Sequence, residues 1–151
     1  MGLVLSTTYL GATLLIQSQV AGVARASLAT AGIDASRTLV APLPMSLLWR
    51  VVALDGDRYH VGWRSVLDDE PTVSFTAYER GARPPGGTDA WPTLARLDWF
   101  TDGFVRLRER EGTLIATDLR LGTESGYVFA FVVDEHALDE EEGREMNGGE
   151  R

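Results

Sequence analysis

The stretch "SLLWRVVALDGDRYHVGWRSV", residues 46–66, decides the fold. Two apolar runs flank Asp55-Gly56-Asp57, a composition that closes a tight hairpin. Strand alternation puts Leu47, Trp49 and Val51 on one side, and Leu48, Arg50 and Val52 on the other. On the return run Tyr59, Val61 and Trp63 share one face. Arg58, His60 and Arg64 share the other, where His60 is expected to be solvated. A hairpin pairs antiparallel, so the sheet growing from it should be antiparallel too.

Outward from the hairpin, "TVSFTAY" (72–78) alternates, with Val73, Phe75 and Ala77 on one side. "ERGARPPGGTDA" (79–90) has the composition of a loop. Thr88 or Asp89 is placed to cap a short helix over 90–100, with Pro92 in its first turn. Asp102-Gly103 then turns the chain into three strands, 103–110, 113–122 and 127–134, the first two joined by Glu111-Gly112. In the other direction, residues 3–24 carry no charge but many hydroxyl and amide side chains. A single helix over about 3–31, closed by Gly32, is expected.

Three readings of that helix stand. It is a membrane helix whose C-terminal side is cytoplasmic, given Arg25 and Arg37 downstream. Or it is a soluble helix covering a sheet. Or it is a signal peptide ending near "ARA" (24–26), though no positive charge precedes it. The class is α+β, with four segments. Residues 1–33 hold the long helix, membrane-associated or sheet-covering. Residues 34–45 are a connector punctuated by Pro42 and Pro44. Residues 46–134 form an α+β domain with a mostly antiparallel sheet of about six strands and one short helix. Residues 135–151 form an acidic flexible tail.

The 151 residues include no cysteine, which excludes disulfides and thiolate metal sites. His60 and His136 are the two histidines. The net charge of −8 is concentrated in residues 134–151, where eight acids face two arginines. All fourteen basic residues are Arg and they are scattered, so no nucleic-acid partner is expected. The acid clusters at 68–70 and 139–142 lack calcium-loop spacing and read as solvated. There is no G-x-S-x-G elbow, and catalytic residues stay unassigned. No metal or other cofactor is expected within this chain.

Asp118 and Arg120 draw attention because they are two apart in an apolar run. If the strand continues to Gly122, Leu114, Ala116, Asp118 and Arg120 share one face. Ile115, Thr117, Leu119 and Leu121 then form the more apolar face, expected in the core. The pair is either an ion pair locking the sheet or the rim of a pocket, with Arg50 as a candidate third member. Trp49, Trp99, Phe100 and Phe104 are candidate aromatic anchors, Phe100 and Phe104 fastening the short helix to the sheet.

Four segments occur in a telling order: "PLPMSLLWRVV" (42–52), "LDWFTDGF" (97–104), "TDLRLG" (117–122) and "YVFAFVV" (127–133). Together they resemble the C-terminal part of the YdjM-like family of inner-membrane metal-dependent hydrolases, over about residues 5–133. The resemblance implies a domain that follows the last membrane helix of a larger protein and lies apart from the metal-binding half. It implies an inner-membrane location with the soluble part cytoplasmic, and as partners the membrane, membrane helices, or a second copy through the N-terminal helix. The alternative is a stand-alone cytoplasmic domain, an enzyme or ligand binder, with a pocket between helix and sheet lined by Trp, Tyr and Arg.

Overall fold

A computed structural model describes residues 2–44, 46–84, 86–88 and 91–133. The elements run α1 (Gly2–Thr30), β1 (Arg37–Pro42), β2 (Leu48–Asp55), β3 (Arg58–Ser65), β4 (Phe75–Glu79), α2 (Pro92–Phe100), β5 (Val105–Arg110), β6 (Thr113–Asp118), β7 (Gly122–Thr123), β8 (Gly126–Tyr127) and β9 (Ala130–Val133). The class is α+β, and every strand pairing among the described residues is antiparallel. The chain divides into two compact units, Met1–Glu79 and Arg80–Arg151. The strands form a four-stranded sheet, a three-stranded sheet and a two-stranded ladder.

In the first unit the sheet order is β1-β2-β3-β4. The β2–β3 register runs from Leu48↔Ser65 to Asp55↔Arg58 and leaves Gly56-Asp57 as the two-residue turn. β1 corrects the sequence reading. Residues 37–42 lie inside the expected connector yet pair with β2 from Arg37↔Leu54 to Pro42↔Trp49. Pro42 misled the reading, but it ends an edge strand, where a missing N–H is tolerated. β4 begins at Phe75 rather than Thr72. The Arg64 guanidinium donates to the carbonyls of Asp68, Glu70 and Thr72 and holds the intervening loop.

α1 closes as the sequence suggested. Gly32 adopts φ +69, Ile33 N–H donates to Leu28 O at 3.0 Å, and Gly32 N–H donates to Ala29 O at 3.1 Å. Val20, Ala24 and Leu28 recur every fourth residue and make the buried face. Val20 and Ala24 pack with Val40, Trp49 and Val51. Two polar contacts pin the helix: Gln17 Nε2 to Val40 O at 3.1 Å, and Val73 N–H to Ser27 Oγ at 2.9 Å. His60 is buried, not solvated. It pairs with Ala53, so it shares the sheet face of Trp49 and Val51, the one α1 covers. Its Nε2 lies 3.4 Å from Asp55 Oδ2.

In the second unit, Leu94 and Leu97 of α2 pack on Val105, Leu107, Ala116 and Val133 of the β5-β6-β9 sheet. Glu111 and Gly112 both have positive φ, the conformation that a tight two-residue hairpin requires. α2 starts later than expected, with Trp91 at its N-cap and no side-chain cap bond, because Pro92 sets the first helical turn. Thr88 is therefore not the cap; its hydroxyl instead accepts from Arg83. Asp89, His136 and the acidic tail over 135–151 lie outside the described residues.

Gly81 meets β5 closely. Its φ is +84, and a Cβ there would come within 2.0 Å of Leu107 O. The neighbouring Arg80 carbonyl accepts from Leu107 N–H, so the backbone cannot withdraw without losing that bond. Gly81→Ala is expected to lower stability by about 2–4 kcal/mol, measured as a lower urea midpoint.

Candidate functional site

Asp118 is the last residue of β6, and the chain turns there. That turn overturns the expected facing. Ala116 and Asp118 are buried, and Ala116 belongs to the core cluster of the second unit. Leu119 is buried from the turn and Leu121 is half exposed, so neither continues the strand alternation on which the face assignment rested.

The Asp118–Arg120 pair is closed locally. Asp118 Oδ1 accepts from the Arg120 backbone N–H at 2.8 Å and from Nε at 3.1 Å, while Oδ2 accepts from Nη2 at 2.9 Å. This is a bidentate fork on a buried carboxylate. The remaining reach of the guanidinium goes to α2: Nη1 donates to Phe100 O at 3.0 Å. The same group lies 5.0 Å from the Phe100 ring centroid. Arg120 therefore caps the C-terminal end of α2, where the helix dipole favours a cation. The pair acts as a structural clasp, with its hydrogen-bonding capacity directed at the protein.

Arg50 belongs to the first unit. It is buried on β2 opposite Trp63, with its guanidinium 6.0 Å from that ring's centroid. Of the aromatic candidates, Trp49 and Phe104 are buried and act as anchors. Trp99 is 82% exposed and Phe100 63% exposed, so neither anchors α2; Leu94 and Leu97 do. They lie on consecutive positions at the helix end, turned away from the face that Leu94 and Leu97 bury. Among the described residues, no three His, Asp or Glu side chains converge where they could hold a metal ion.

The less expected feature lies at one end of the first unit. Only the second half of α1 packs on the sheet. In its first half Leu3, Val4, Leu5, Tyr9, Leu10, Leu14 and Leu15 are all exposed, Leu3 at 82% and Leu5 at 75%. They are distributed round the helix rather than along one stripe. The hydroxyls there are turned inward: Thr7, Thr8 and Thr13 donate to the carbonyls of Leu3, Val4 and Tyr9 at 2.8–2.9 Å. Beside the helix runs a groove of about 460 Å³, lined on the helix by Tyr9, Thr13 and Ile16 and on the sheet side by Leu43, Leu47, Trp49 and Val66 among others. The pocket between helix and sheet that the sequence suggested was to be lined by Trp, Tyr and Arg; this groove holds Trp49 and Tyr9 but none of Arg50, Asp118 and Arg120. Its available clue was "PLPMSLL" (42–48), a turn without a charge between two strands.

No helix among the described residues is long and apolar enough to cross a membrane. Comparison with family models, curated proteins and solved structures gave no match.

The clasp reading has a direct test. Asp118→Ala leaves Arg120 and the α2 end without their shared carboxylate, and is expected to cost about 3–5 kcal/mol in chemical unfolding. Arg120→Lys, which keeps the charge but loses the fork, should recover only part of the loss seen for Arg120→Ala. Equal stability of Asp118→Ala and wild type would show that the pair does not hold the second unit together.

Proposed function

We propose that this chain is a non-catalytic, membrane-docked domain that accompanies a metal-dependent hydrolase centre carried elsewhere. One observation carries the docking: the first half of α1 is uncharged, apolar on all sides and exposed. A helix of that kind is at home in an apolar medium rather than in water. Its threonine hydroxyls already donate within the helix, so they make no demand for water. What supports the hydrolase association is the order of the four sequence segments that resemble the YdjM-like family. The location that follows is the inner membrane, with the sheet-bearing body on the cytoplasmic side.

The docking is checked by flotation with phosphatidylcholine vesicles. Wild-type chain should rise with the lipid. A Leu5→Glu, Leu10→Glu double variant should partition at least about tenfold less while keeping its thermal midpoint, since both side chains are exposed. Wild-type chain that stays with the aqueous fraction would refute the reading. For the non-catalytic part, the chain supplied with zinc or manganese should show no turnover on ester, amide or phosphate substrates. Turnover that scales with added metal would refute it.

A further inference from the structure

We infer that α1 does not enter the bilayer alone: Leu43, Leu47, Val66 and Leu67, from the turns before β2 and after β3, form an apolar collar that rests in the lipid interface around it. This rests on the membrane-docked reading above and adds to it a second, discontinuous lipid contact that fixes how deep the domain sits.

The collar comes from two chain segments brought to one end of the four-stranded sheet. Leu43 and Leu47 belong to the β1–β2 turn, and Val66 and Leu67 follow β3. The two turns are joined, because Val66 N–H donates to Leu47 O at 3.0 Å. Leu47 is half exposed and Leu67 is 74% exposed, although each could have been polar at no cost to the core. Several amides of these turns are bonded within them. Leu43 N–H donates to Leu48 O at 2.9 Å, Leu48 N–H to Ser46 Oγ at 3.2 Å, and Leu67 N–H to Ser65 Oγ at 3.1 Å. Loops that bond their own amides this way can meet an apolar medium without leaving donors bare.

Lipid, rather than a polar partner, fits the lining. None of the groove residues between helix and collar is charged, so the surface complements an uncharged, apolar occupant such as an acyl chain. Tyr9 stands level with the collar, as a tyrosine at a headgroup boundary would. Residues 2–8 then reach about 10 Å beyond it, at 1.5 Å per residue, the depth to which interfacial helices bury. The opposite end of the sheet carries the Asp55–Arg58 hairpin turn, which offers no apolar side chain, so the collar end is the one that can seat this way. Asp68, Asp69 and Glu70 adjoin the collar and would be repelled by anionic headgroups, which selects phosphatidylcholine as the probe lipid.

The absence of cysteine permits single-site labelling. L67C and D57C, each carrying an environment-sensitive nitrobenzoxadiazole dye, are mixed with phosphatidylcholine vesicles. The dye at 67 should brighten and shift to the blue, and the dye at 57 should not change. L47E and L67E should each weaken partition about three- to tenfold at unchanged thermal midpoint. If wild type and L47E partition equally and the dye at 67 stays aqueous, the collar is overturned while docking through α1 stands. If wild-type chain does not bind vesicles, whether it remains monomeric or pairs through α1, the docking itself falls and the collar with it.

Discussion

α1 is fastened to the first unit through Ile16, Gln17, Val20, Ala24 and Ser27, whereas residues 2–12 are exposed throughout. Which end overhangs is settled by the chain's return. Gly32 closes the helix, and β1 begins at Arg37, so the C-terminal half is tethered to the sheet. The overhang falls at the N-terminal end, beside the turns that precede β2 and follow β3. The candidate site exists because the packed part of the helix stops short of its N-terminal end.

The two halves of α1 divide their polar groups accordingly. Gln17 and Ser27 reach the sheet, each bonding a backbone group on another segment. Thr7, Thr8 and Thr13 bond only their own helix. The free half leaves five leucines in water. Burying them would contribute on the order of 10 kcal/mol before the cost of ordering and association. A surplus of that size is what the proposed docking would draw on. It also explains why single glutamates at exposed leucines are sensitive reporters.

In the second unit the comparable organising contact is electrostatic. Asp118 is buried at a strand end where its carboxylate would be costly if unpaired, and Arg120 answers it with a two-pronged bond while reaching the last carbonyl of α2. Strand, turn and helix end are joined through one guanidinium. Lysine offers a point charge and cannot span all three, which makes arginine the residue required there.

Local chemistry carried the reading of Gly32, of the Asp55–Asp57 and Glu111-Gly112 turns, of the β2–β3 hairpin and of the Asp118–Arg120 bond. Each of these depends on backbone conformations or neighbours within a few residues. The facing of Asp118, the burial of His60 and the exposure of Trp99 and Phe100 were not legible, because each depends on where an element ends or on what packs over it. β1 was hidden by a proline that is harmful in a central strand and harmless at the end of an edge. The sequence by itself determined an uncharged helix and an antiparallel α+β class, and it set a carboxylate and a guanidinium two residues apart while leaving their role open. Only the tertiary structure decided that half the helix lies free beside an apolar groove, because exposure is set by what segments far apart in the chain pack against one another.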